Sequence, residues 1–153
     1  MVTIPVAESD TFAPINEVRI SDPTGRKREK AARTLEHKLG LEVAEPYARE
    51  IRRPYRLLAG LNAQLLTHLM ADLDLNREQH YQSHLGSGRY DDTSEGLAEM
   101  VAEVGGTVWL SGPAGRIYLD ETPFRERGIQ VRFFDHEGPN PSAVELLRSE
   151  VAA

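Results

Sequence analysis

Thr107-Val108-Trp109-Leu110-Ser111-Gly112-Pro113-Ala114-Gly115-Arg116-Ile117-Tyr118-Leu119 is the stretch that decides the fold. The β-branched and aromatic run at Thr107–Leu110 predicts a short buried strand. Ser111-Gly112-Pro113-Ala114-Gly115 then breaks it with turn chemistry. Ile117, Tyr118 and Leu119 follow as a brief helix. A strand passing straight into a glycine-flanked turn and a helix is the unit from which parallel α/β layers are built.

Outward from this passage, strands and helices keep alternating. C-terminally, Thr122-Pro123 opens a short helix with Phe124 on its apolar side. Gly128 ends that helix, and Ile129, Val131 and Phe133 alternate with Gln130, Arg132 and Phe134 as a final strand. Asn140-Pro141-Ser142 predicts the start of a terminal helix carrying Val144, Leu147 and Val151. N-terminally, Asp91, Asp92, Thr93 or Ser94 can cap a helix bearing Leu97, Met100, Val101 and Val104, stopped by Gly105-Gly106. Gly86-Ser87-Gly88 reads as a link, and Gln79–Leu85 as a strand. Pro54–Leu73 carries leucines at three- and four-residue spacing, which predicts a helix with a buried leucine face. Glu45–Arg53 predicts a shorter helix, and Arg26–Leu39 a polar one with a thin Ala31, Leu35, Leu39 stripe, ended by Gly40. Thr3–Val6 and Ile15–Ile20 predict two short strands, the first kept to an edge by Pro5. The expected fold is α/β, a mostly parallel sheet flanked by helices and incomplete at its N-terminal side. A single domain over residues 1–153 is expected.

The chain has 153 residues, enough for one ordinary core. It contains no cysteine, which excludes disulfides, thiolate metal sites and a thiol nucleophile. No apolar run reaches the ~18–20 residues a membrane span needs. The first residues lack the cationic and apolar segments of a secretory leader. A soluble cytoplasmic protein that does not enter membranes is the expectation.

Charge is unevenly spread. Residues 26–56 hold ten Lys/Arg against five Glu, an excess of +5, so the rest of a chain of net charge −6 carries −11. One basic segment on an acidic chain disfavours nucleic acid, whose binders carry basic domains. A rim for an anionic small molecule, or a solvated helix face, fits better.

For chemistry, the Ser111 turn stands out. Backbone N–H groups of a tight turn at a strand's C-terminal end can hold an anion, and Gly112 and Gly115 allow close approach. Ser111 offers a hydroxyl and Arg116 a cation. Ser-Gly-Pro is equally good helix-start chemistry, and on chemistry alone both readings stay open. Neither nucleotide-loop glycine motif is present. His80 and His84 are four apart without the glutamate of the zinc-protease pattern, so no metal site is expected. Asp120 and Glu121 adjoin and point in different directions, which favours helix-end solvation over a paired catalytic role. Asp135-His136 could form an orienting pair, and Trp109 is expected in the core. No cofactor is specified.

Thr107 to Glu121 resembles the Y-L-S-G-P-x-x-x-x-Y-L-D stretch of the WbqC-like family. Phe124 with Gly128-Ile129-Gln130-Val131 resembles the family's following segment. Thr3–Val6, Ile15–Ile20, Ser83–Leu85 and Asn140–Leu147 resemble other pieces, in order. The family's opening His-Gln-Pro strand and its Tyr-Pro-Gln loop have no counterpart. The chain is therefore expected to correspond to the C-terminal two-thirds to three-quarters of a member. The resemblance implies a place in bacterial surface-polysaccharide (O-antigen) or related biosynthesis, with transfer of an acyl or aminoacyl group to an amine such as an amino sugar. On the matching motif, Ser111, Gly112, Pro113, Tyr118 and Asp120 are ligand-binding candidates for an anionic or sugar-containing small molecule, and the chemistry of the turn adds Gly115 and Arg116. Asp120 and His84 are the candidates for moving a proton. The alternative is a non-catalytic homologue, left with an exposed sheet edge through which it would pair with a partner or another copy.

Overall fold

A computed structural model describes residues 3–10, 12–22, 24–86, 93–135 and 138. These residues gather into two compact units, one running to Arg77 and the other beginning at Glu78.

The first unit is helical. α1 (Arg26–Leu39) and α2 (Leu41–Arg52) form a hairpin about Gly40, whose φ of 84° is open to glycine and strained for other residues. α3 (Leu58–Asp72) completes the layer. The core is small: Ala31 and Ala32 of α1, Ala48 and Ile51 of α2 and Leu61 of α3, flanked by Ile4, Ile20, Leu35, Tyr55 and Leu65. Alanines at this seam let the helix backbones approach closely.

Three expectations need correction here. The Thr3–Val6 and Ile15–Ile20 strands reduce to isolated antiparallel bridges, Val6 with Ile20 and Arg19 with Leu57. The same contacts explain why the third helix begins at Leu58 and not at Pro54. Ile20 N–H donates to the Arg56 carbonyl at 2.9 Å and Leu58 N–H to the Val18 carbonyl at 2.9 Å. Residues 56–58 thereby spend on a bridge the backbone groups that a helix would need. The leucine face is also less buried than its spacing predicts: Leu61 is fully buried, whereas Leu57 and Leu66 are exposed.

Two buried carboxylates tie this unit together. Asp10 accepts from the Arg19 guanidinium at 2.8 Å and from the Arg19 backbone N–H at 2.9 Å. Glu50 accepts from the Tyr55 hydroxyl at 2.5 Å and from Arg53 at 3.2 Å, with His68 Nε2 3.8 Å away. The Tyr55 hydrogen bond, aided by Arg53, holds the Glu50 carboxyl below the ordinary carboxylate range despite burial. Tyr47 closes α2 onto α3 by donating to Asp72 at 2.6 Å.

The second unit is mixed α/β. α4 (Ser94–Glu103) precedes β1 (Val108–Ser111), and α5 (Gly115–Tyr118) with α6 (Thr122–Glu126) carry the crossover to β2 (Gln130–Phe133). β1 and β2 are parallel, with Val108 opposite Gln130 and Ser111 opposite Phe133. Parallel neighbours require such a crossover, which here is made of two single-turn helices. α6 stops where expected: Gly128, at φ 70°, lets Ile129 N–H reach back to the Phe124 carbonyl at 2.8 Å. Phe124 is fully buried and packs with Ala98, Val101 and Ile129, with Trp109, Leu97, Leu119 and Val131 around them. The chain is thus an α/β protein with a small two-stranded parallel sheet.

Two readings fail in this unit. Gln79–Leu85 is not a strand; Gln82–His84 forms a single 3-10 turn, and its polar residues offer no apolar face for a sheet to bury. β1 is not buried throughout. Trp109 and Ser111 face inward, whereas Val108 and Leu110 are exposed, because a two-stranded sheet covered on one face leaves the other open. Ser87, Gly88, Asp91, Asp92, His136 and the predicted helix from Asn140 lie outside the described residues. Among the described residues no helix is long and apolar enough to cross a membrane.

Candidate functional site

Apart from His84, the sequence-predicted site residues divide between a turn and a cleft. In the turn, Ser111 is buried, and its hydroxyl donates to the Gly112 carbonyl at 3.3 Å. Gly115 is buried beside it: a Cβ there would stand 2.1 Å from Ser111 Oγ and 3.2 Å from Phe133 Cε1. Gly115 is therefore required for packing the crossover onto the strand. The turn spends some of its amides internally. Gly115 N–H bonds to the Gly112 carbonyl at 3.0 Å and Arg116 N–H to the Pro113 carbonyl at 3.2 Å. Pro113 has no N–H, so the amides left for a guest are those of Gly112 and Ala114, which bond to nothing among the described residues.

Arg116 is fixed from two sides. Its guanidinium lies over the Phe133 ring at 4.6 Å and pairs with Asp135 at 3.0 Å. Asp135 thus serves Arg116, a partner that adjacency in sequence does not suggest.

The cleft lies at the far end of α5. It encloses about 500 Å³ and is lined by Thr93, Ser94 and Glu95 at the start of α4 and by Tyr118 and Asp120 after α5, with Leu97, Leu119 and Pro123 as its apolar part. Tyr118 is 72% exposed and presents a bare aromatic face. The walls are joined through polar contacts: Asp120 N–H donates to Ser94 Oγ at 2.9 Å, and Arg127 pairs with Glu95. Asp120 Oδ1 accepts from Thr122 N–H at 2.9 Å. The Thr122 amide, then its hydroxyl, hold the Asp120 carboxyl below the ordinary carboxylate range. An ionised carboxylate of that kind is a good anchor for an ammonium or hydroxyl group and a weak base.

His84 is elsewhere in this unit. Its ring packs against Tyr81 at 5.4 Å, and among the described residues no hydrogen bond or ion pair links it to Ser111, Arg116 or Asp120. Among the described residues, no three His, Asp or Glu side chains gather as metal ligands.

The α4 wall of the cleft escaped the sequence reading. Thr93 and Ser94 signal only a helix cap, and Thr93 indeed accepts from Gly96 N–H at 3.3 Å. The Ser94–Asp120 hydrogen bond joins residues 26 apart, which no local pattern encodes.

The chain belongs to the WbqC-like protein family, whose model matches residues 1–142. It is also similar to an uncharacterized protein of Mycobacterium tuberculosis, Rv1507c, at 31% identity over 83 residues. That alignment takes in 53% of this chain and only 34% of the mycobacterial protein, so the chain spans about a third of its relative's length. No solved structure matches the chain significantly.

Proposed function

We propose that this WbqC-like chain binds a sugar-containing metabolite in the Tyr118–Asp120 cleft and transfers an acyl or aminoacyl group from an activated ester or thioester to the sugar's amine, as a step of surface-polysaccharide or related biosynthesis. The amide C–N bond replaces the ester or thioester bond, and the alcohol or thiol leaves with the proton that the amine gives up. The observation that carries the binding half is the composition of the cleft. An exposed aromatic face, two hydroxyls and two carboxylates converge on a volume sized for a small ligand. Sugars present apolar C–H faces that stack on aromatic rings and hydroxyls that donate to carboxylates. With Glu95 already paired to Arg127, Asp120 is the charge available to an ammonium group. In this reading Tyr118 stacks on the sugar and Asp120 anchors the amine. Family resemblance alone supports the transfer half.

The test is titration of the full chain with a free amino sugar and with its N-acetylated form. The free amine should bind more tightly, Asp120→Asn should abolish the preference, and Tyr118→Ala should weaken both ligands. Equal affinity for the two sugars, or an unaltered preference in Asp120→Asn, would refute the assignment.

A second reading has its own observation. β1 and β2 pair only with each other among the described residues, and Leu110 and Ile117 are 61% and 88% exposed. An open edge with apolar neighbours suits a partner-binding module or an oligomer. Light scattering separates the readings: association that persists on dilution supports the module, and a monomer that binds amino sugar supports the enzyme.

A further inference from the structure

The first unit carries a charged groove that the cleft does not use. It runs along the outer face of α1, encloses about 660 Å³ and includes Thr24, Arg26, Lys30, Arg33, Thr34 and His37. The spacing of 26, 30, 33 and 37 is that of one helical stripe, so Arg26, Lys30 and Arg33 share a face with His37. The opposite face holds Ala31, Ala32 and Leu39 in the core, which fixes the stripe outward. Arg26 and Lys30 have no acidic partner among the described residues. The one acid of the groove, Glu29, is already shared by Arg33 at 2.7 Å and Arg52 at 2.8 Å. The groove therefore keeps a positive excess even though the chain as a whole is acidic. The helix end contributes little, since Asp22 already accepts from Arg28 N–H at 2.8 Å. The side chains make the site.

We propose that this groove binds a compact polyanion of the pyrophosphate class, such as a metabolite carrying a diphosphate. Size decides between a compact anion and a nucleic acid. Fields from this face reach about 8 Å at physiological salt. A diphosphate fits within that range and meets only the cationic stripe. A strand of nucleic acid extends beyond it and draws its affinity from many phosphate contacts, whereas this stripe holds only Arg26, Lys30 and Arg33, the last already paired with Glu29. Membrane insertion is ruled out for α1 because its apolar side is spent on the core. The proposal is independent of the cleft, and its failure leaves the amino-sugar reading untouched.

Inorganic pyrophosphate is the probe. Titration of the full chain should show saturable binding that weakens with added salt. Arg26→Gln and Lys30→Gln should each weaken it at least about tenfold, the loss expected for one charge-assisted contact. Lys38→Gln, an exposed change on α1 outside the groove, should leave it unchanged. All three residues are exposed, and helical circular dichroism checks that the variants fold. Absence of saturable binding would overturn the proposal, as would an equal loss in all three variants, which denotes diffuse attraction. A short single-stranded oligonucleotide binding more tightly than pyrophosphate, with the same sensitivity to Arg26 and Lys30, would overturn it in favour of a nucleic-acid face.

Discussion

The contact between Ser111 and Gly115 places the strictest demand on any one residue of the second unit. A methyl at 115 would collide with Ser111 Oγ and press on Phe133 at 3.2 Å. Rotating the serine relieves only the first clash, so Gly115→Ala should cost about 1–3 kcal/mol, the range for overpacking a tight site. Urea denaturation measures it. Ser111→Gly in the same chain should recover part of the loss, a coupling that a double-mutant cycle reads directly. Equal destabilisation with and without Ser111 would show that the two residues do not compete for space. The serine that looks most like a ligand group in sequence thus has a packing role as well. Sequence reading supplied the motif and its small residues; the buried state of Ser111 depends on Phe133, which follows more than twenty residues later in the chain.

Among the elements, legibility followed how much of each was decided locally. The Leu58–Asp72 helix was visible in its leucines, and the α4 and α6 ends in their caps and glycines, because those signals act within one or two turns. The start of α3 was not, since a bridge to residues 18–20 competes for its first amides. The outward side of β1 was missed for a related reason: apolar residues mark strand preference without stating whether a second layer covers them. The α1–α2 hairpin offers an element-scale prediction. Arg52 bonds Glu29 and Glu36 at 2.8 and 2.7 Å and, with Arg33, brings the Glu29 pKa down to about 2. A carboxylate depressed on folding adds stability above its unfolded pKa, ordinarily ~4.3, and that contribution fades as pH falls toward the folded value. Arg52→Gln should therefore move the Glu29 titration, followed by NMR, upward toward the ordinary value. It should also start the acid loss of helix at higher pH. A Glu29 titration unmoved by the substitution would assign the depression to Arg33 alone.

At the scale of the whole molecule, two separate small cores have a measurable consequence. Phe124 is the largest fully buried side chain of the second cluster, and Leu61 of the first. Phe124→Ala should cost about 3–5 kcal/mol, comparable to what so small a core can supply. Amide exchange should then rise throughout residues 94–133 and stay unchanged in α1–α3, whereas Leu61→Ala should do the reverse. Uniform loss of protection from either substitution would mean that the chain opens as one cooperative body.

Asp120 braces the opening of one helix with its carboxylate and leans its own amide on the first residue of another. Whatever occupies the hollow would consequently register as a change in the mechanical tension of both α4 and α6. A designer wishing to re-tailor that wall can turn to asparagine, a substitute that keeps the scaffold's rivet while surrendering its charge.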